Sequence, residues 1–128
     1  MTNRKIYECA LHILAQNGVE CDNSDYEERA SYILATFCSE MDRTDDLMRK
    51  AFKAPVKITF QNVWISLDED FPLVNRFAPL AAKYLAAMLV IDEDGELSDR
   101  IYDMYCQSIS ALKRDIPCII ESTADKYN

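Results

Sequence analysis

Apolar residues recur at helical spacing through most of this 128-residue chain, and only 2 glycines and 4 prolines interrupt them. A chain so poor in turn formers favours long helices over a loop-rich β-sandwich. The first segment shows the pattern. Ile6, Cys9, Ala10, Ile13 and Leu14 share one stripe behind a capping Thr2, and Asn17-Gly18 stops it. A second helix opens on the capping box Ser24-Asp25-Tyr26-Glu27, in which the serine oxygen takes the third amide and the glutamate reaches back. Its stripe is Tyr26, Ala30, Ile33, Leu34, Phe37, Cys38 and Met41. A shorter third helix is expected from Thr44, burying Leu47, Met48, Ala51 and Phe52.

Pro55 changes the rhythm. From Val56 the period is two: Val56, Ile58 and Phe60, then Val63, Ile65 and Leu67. That alternation predicts two short strands around Gln61-Asn62, a β-hairpin insertion over residues 56–67. A lone hairpin is marginal in water and needs cover, from its own helices or from another chain. A fourth helix follows Pro72 with Pro79 in its first turns and Phe77, Leu80, Ala81, Tyr84, Leu85 and Met88 on its face. A fifth runs from about Glu96 through Leu97, Ile101, Met104, Tyr105 and Leu112, ending before Ile116-Pro117. The expected fold is all-α: about five helices in one bundle-like domain spanning 1–128, with the hairpin arm and an irregular tail at 117–128.

Composition narrows the function. A net charge of −8 and 22 acidic residues disfavour general binding to nucleic-acid phosphates, which needs clustered Lys and Arg. The N-terminus is amphipathic and lacks the apolar core of a signal peptide, and the longest apolar stretch, Phe77 to Ile91, is too short to span a bilayer. Cys9, Cys21, Cys38, Cys106 and Cys118, odd in number and without a CxxC pair, are expected to stay reduced in a cytoplasm.

Two acidic clusters invite a metal: LDEDFPL at 67–73 and IDEDGEL at 91–97. With Gly95 at the glycine position of a calcium loop, Asp92 and Asp94 fall on ligand positions, but the first becomes Val90 and the bidentate twelfth becomes Ile101. One helix between the clusters would hold them roughly 28 Å apart, against the 4 Å or so of a two-metal centre. Both clusters are better read as helix starts, with Asp70 and Asp94 as N-caps, like Ser24 before them. Cys9-x-x-His12 has no second ligand pair for zinc. His12 is the only histidine and has no nucleophile near it in sequence, and two isolated glycines build no phosphate loop. No catalytic, metal or cofactor site is expected, and no enzyme activity.

Two segments carry a resemblance. YEERASYILATFCSEM (26–41) and LDEDFPLVNRFAPLAAKYLAAMLVIDEDGELSDRIYDMYCQSI (67–109) resemble small head–tail connector proteins of tailed bacteriophages and prophages. The likeness is one of pattern: a short helical domain, an FPL…aP…YLAA helix, an acidic turn and an ELSD…Y…Y helix. It implies a structural protein of virion assembly and DNA packaging, present in the host bacterial cytoplasm and in the virion. Such a protein forms a homo-oligomeric ring below the portal protein, meets head-closure and tail proteins, and lets DNA pass without binding it specifically. The family has no fixed site signature, so interface residues are taken from exposure and aromatic content: Ile58, Phe60, Trp64 and Ile65 in the arm, and Ile119, Ile120 and Tyr127 in the tail. The alternative is a small cytoplasmic helical regulator, or a metal-binding protein, that meets a basic partner.

Overall fold

A computed structural model of the chain describes the backbone of residues 1–20, 25–55 and 57–125, and the side chains of these as far as Ile116. Among the described residues the regular structure is helical: α1 (Asn3–Gln16), α2 (Asp25–Ala51), a 3-10 turn (Asn75–Phe77), α3 (Ala78–Val90) and α4 (Gly95–Asp125). The all-α expectation holds, with four α-helices in place of five.

Local chemistry sets the ends of α1. Thr2 accepts a hydrogen bond from the Lys5 amide at its start. At its finish Val19 N donates to Leu14 O and Gly18 N to Ala15 O, with Gly18 in the left-handed region at φ 83°. The crossed pair of bonds is a Schellman motif. The end of α2 repeats it, with Ala54 N to Arg49 O and Lys53 N to Lys50 O. There the left-handed residue is Lys53 at φ 56°, the only described non-glycine with positive φ.

The expected second and third helices are one. No break falls at Thr44, because the buried face of α2 runs on through Met41, Asp42, Asp45 and Met48. Two of those inward positions carry acids, so the apolar count stops where the helix does not.

α3 is the hub and packs against α1, α2 and α4. Leu80, Ala81, Ala82, Leu85, Ala86, Ala87, Leu89 and Val90 are all buried along it. Its many alanines let three helices approach closely. Beside it Phe37 of α2 gathers an aromatic cluster, with ring centroids 6.5 Å to Phe71, 5.8 Å to Tyr84 and 6.3 Å to Tyr105.

The fourth expected helix starts later than Pro72. With a start at Leu73, Pro79 would sit in the helix interior and clash with a carbonyl one turn back. Beginning at Ala78 puts Pro79 in the first turn, where its missing amide costs nothing. Asp70 is therefore not a cap. It forms an isolated antiparallel bridge with Thr2, and Glu69 O and Leu67 O accept from the first amides of α1, Asn3 N at 3.0 Å and Arg4 N at 2.8 Å. The LDED cluster does sit at a positive helix end, that of α1.

Asp94 is a cap: its Oδ1 accepts from Leu97 N at 3.1 Å and its carbonyl from Ser98 N. α4 then continues through Ile116-Pro117 to Asp125, so the irregular tail expected from residue 117 is helical backbone over most of its length. Buried Leu97, Ile101, Tyr105, Ile109, Leu112 and Ile116 keep one face of α4 on the domain. Proline lacks one amide, and the many other backbone bonds of a 31-residue helix carry the turn. Among the described residues no helix is long and apolar enough to cross a membrane.

Candidate interaction surface: a strap along α2

The predicted hairpin is absent: no strand ladder forms among the described residues of 56–67. A strap leaves the end of α2 at Lys53, runs antiparallel to it as far as Ile65, turns at 67–69 and returns to Arg49 and Asp45 by Val74. Arg49 Nη1 holds Pro55 O at 3.2 Å, Lys57 Nζ reaches Asp46 at 3.3 Å, and Phe60 N donates to Asp42 at 3.0 Å. Further along, Ser39 Oγ donates to Asn62 O at 3.5 Å and Ile65 N to Ser31 O at 3.3 Å. From Arg49 back to Ser31 the helix covers about 27 Å, and ten or so strap residues match it at about 2.7 Å each. That rise falls short of the strand value, in keeping with the bend of the chain at Val63.

A cage of charge pins it. Asp42, Asp45, Asp46 and Arg49 lie at i, i+3, i+4 and i+7, hence on one face of α2. Asp45 is fully buried; its Oδ1 accepts from Val74 N and its Oδ2 from Arg49 Nε, both at 2.8 Å. Lys57 Nζ donates to Asp42 and Asp46 and lies 3.5 Å from Asp45 Oδ2. Arg49 Nη2 also holds Pro72 O at 3.2 Å, so one guanidinium ties both ends of the strap.

Burial works against the charge on both Asp42 and Lys57, yet each favours it on balance. The Lys57 ammonium and the Phe60 amide hold the Asp42 carboxyl below the usual carboxylate range. Asp42 and Asp46 in turn hold Lys57 above the usual lysine value. Cys38 lies beneath the cage. Burial first, then Asp45, pushes its thiol up to about 12.

Beside exposed polar residues, the limb of the strap along α2 and the end of α2 before it show large apolar side chains to solvent. Ile58 is 93% exposed, Val63 81%, Trp64 50% and Phe52 56%. Of the four arm residues taken as interface from sequence, Ile58 and Trp64 are on this surface. Phe60 is half-buried against the core, and Ile65, at 4% exposed, belongs to the core itself. The side chains turned down are Lys57, Phe60, Ile65 and Leu67, a spacing that is not strictly alternate because the chain bends at Val63. Ile119 and Ile120 fall in the α4 backbone, while their side chains, with Tyr127 and the expected cap Ser24, lie outside the described residues. Val63 and the cage were not read from sequence. The signal for the cage was present as acids at helical spacing on an otherwise apolar stripe.

The other candidate chemistry is dispersed. Cys9 and His12 are both exposed on α1, Cys106 is half-buried on α4, and Cys21 and Cys118 lie outside the described side chains. Glu93 accepts from the Tyr26 hydroxyl at 2.5 Å, which ties the IDED turn to α2. Among the described residues no three His, Cys, Asp or Glu side chains converge as metal ligands.

Fold and surface together define a small helical domain with a charge-pinned apolar strap. No family model, curated protein or solved structure matches the chain.

Proposed function

We propose that this protein is a structural component of tailed-phage assembly, a head–tail connector that binds below the portal and extends the DNA channel, without catalysis. The observation that carries the reading, beside the resemblance of segments 26–41 and 67–109, is the strap. Large apolar side chains held in place yet open to water mark a protein–protein contact. Ile58, Val63 and Trp64 are presented on a backbone already ordered by the cage, so a partner that covers them pays little ordering entropy. A net charge of −8 suits a channel component past which a polyanion slides without sticking.

The direct test mixes the purified chain with a portal ring from the same gene neighbourhood and images the product at several salt concentrations. The connector reading expects a second ring stacked on the portal, and loss of stacking on Ile58→Lys. No stacking at any salt concentration removes the reading.

A further inference from the structure

We infer that the groove between α3 and α4 is a phosphate-binding site that takes the backbone of duplex DNA. The inference deepens the connector reading, which supplies the DNA; the chemistry of the groove stands on its own residues.

Charge is unevenly spread along the chain. It carries 22 acidic residues, yet none falls within 71–91 or 104–114, where Arg76, Lys83, Lys113 and Arg114 do. α3 lies in the first run, and the part of α4 that faces residues 76–83 lies mostly in the second.

Two rungs cross the groove. Arg76 Nη2 donates to Asp115 at 3.0 Å, and Lys83 Nζ donates to Ser108 Oγ at 3.0 Å. Ser108 and Asp115 are two turns, about 10 Å, apart along α4. Both rungs border one cavity of 310 Å³, lined also by buried Leu80 and Leu112.

Lys83 is the group that calls for an anion. Its ammonium is half-buried and bonded to a neutral hydroxyl, and among the described residues no carboxylate comes within ion-pairing reach of it. A half-buried charge left to a neutral partner gains from a counter-ion. Ser108 accepts from Lys83, which leaves its own O–H to donate. Arg76 and Asp115 are both about half exposed, so water weakens that pair and the guanidinium has a further edge to offer. The first turn of α3, at Pro79 and Leu80, borders the same cavity and adds the positive end of the helix dipole. Ammonium, guanidinium, hydroxyl and helix start are the groups that bind phosphate oxygens.

The paired rungs favour a chain of phosphates over a single one. Charges on one strand recur about every 3.4 Å along the duplex axis, so rungs about 10 Å apart can each meet a phosphate. The rest of the molecule, at −8, holds a duplex off. Contact is therefore confined to the groove and weak, as passing DNA requires.

Anisotropy of a labelled DNA duplex, titrated with the full chain over a series of low salt concentrations, tests this. The expected result is weak binding, equal for two unrelated sequences, with a log–log salt slope of about −2, one phosphate each for Lys83 and Arg76. Lys83→Met keeps the alkyl stem and should weaken binding several-fold and take about one from the slope. Arg76→Gln should do the same, and it alters an exposed side chain should Lys83→Met fail to fold. Lys5→Met, at an exposed position of α1, should leave the slope unchanged. Inorganic phosphate should displace the duplex more strongly than chloride at equal ionic strength.

No binding at any salt concentration, binding indifferent to both groove variants, or phosphate no better than chloride overturns the inference. Inorganic phosphate bound without the duplex, or polyglutamate bound in preference to it, overturns it too. A duplex held through Lys83 by a chain that stacks on no portal leaves the groove standing and removes the connector reading; stacking without duplex binding does the reverse.

Discussion

Asp45 shows how one side chain can hold two elements together. It is fully buried, and its two oxygens serve the Val74 amide and the Arg49 guanidinium. Asp45→Ala strands both donors and leaves Lys57 one carboxylate short. The expected cost is about 3 kcal/mol, in the range for breaking a buried ion pair. Urea denaturation should show it as a lower midpoint, and a loss under 1 kcal/mol would mean that the cage relaxes around water. Asp45 also marks a limit of sequence reading. Periodic apolar residues disclosed the faces of α1 and α3, but an acid at a buried position of α2 counted against the helix it belongs to. The charge is buried because it is paired: Arg49 stands one turn away on the same helix, and Lys57 and the Val74 amide come from the strap, whose course over α2 was not anticipated.

At the scale of elements, the strap explains both a correct and an incorrect expectation. The alternation Ile58, Phe60, Val63, Ile65, Leu67 was legible and reports extended backbone. It reports neither pairing nor facing: Ile58 and Val63 stand open to solvent while Phe60 and Ile65, two residues on from each, pack on the core. Pro79 carried the reverse information, fixing where α3 begins, but the acids at 68–70 suggested an earlier start. The strap has a pH window whose sign follows from its two ions. Asp42, held low, contributes stability that is present above about pH 4 and is lost as pH falls through its depressed value. Lys57, held high, contributes stability that is complete below about pH 10 and is lost as pH rises through its raised value. Protection of the bonded Phe60 and Ile65 amides, corrected for the intrinsic pH dependence of exchange, should be greatest between those limits and smaller outside them, while that of α3 stays level until global unfolding. Parallel changes in both would mean that the strap has no separate opening.

The whole molecule is organised around α3, whose small side chains set the distances to three other helices. Ala86 is fully buried there. Ala86→Leu adds volume with nowhere to go and should cost about 1–3 kcal/mol, measured as a drop in Tm, with strap exposure unchanged. A neutral or stabilising result would mean an unfilled space beside α3. This architecture was partly legible: the apolar face of α3 and the capped start of α4 were read directly. The candidate surface was legible only as a stretch. Which of its residues face water depended on how it lies on α2, and that geometry is set by Lys57 and the acids beneath it.

Cys38 turns the strap into a measurable clock. Its thiol is buried under the cage and pushed up to about 12, so at pH 8 almost none of it is thiolate, whereas Cys9 stands open to solvent on α1. A disulfide reagent should modify Cys9 first and reach Cys38 only when the strap lifts, the two sites being separated by peptide mapping. Lys57→Met loosens the latch without touching the thiol, and should speed labelling at Cys38 alone. The lifetime of the closed strap could then be timed in the unlabelled native chain, one sulfur atom at a time.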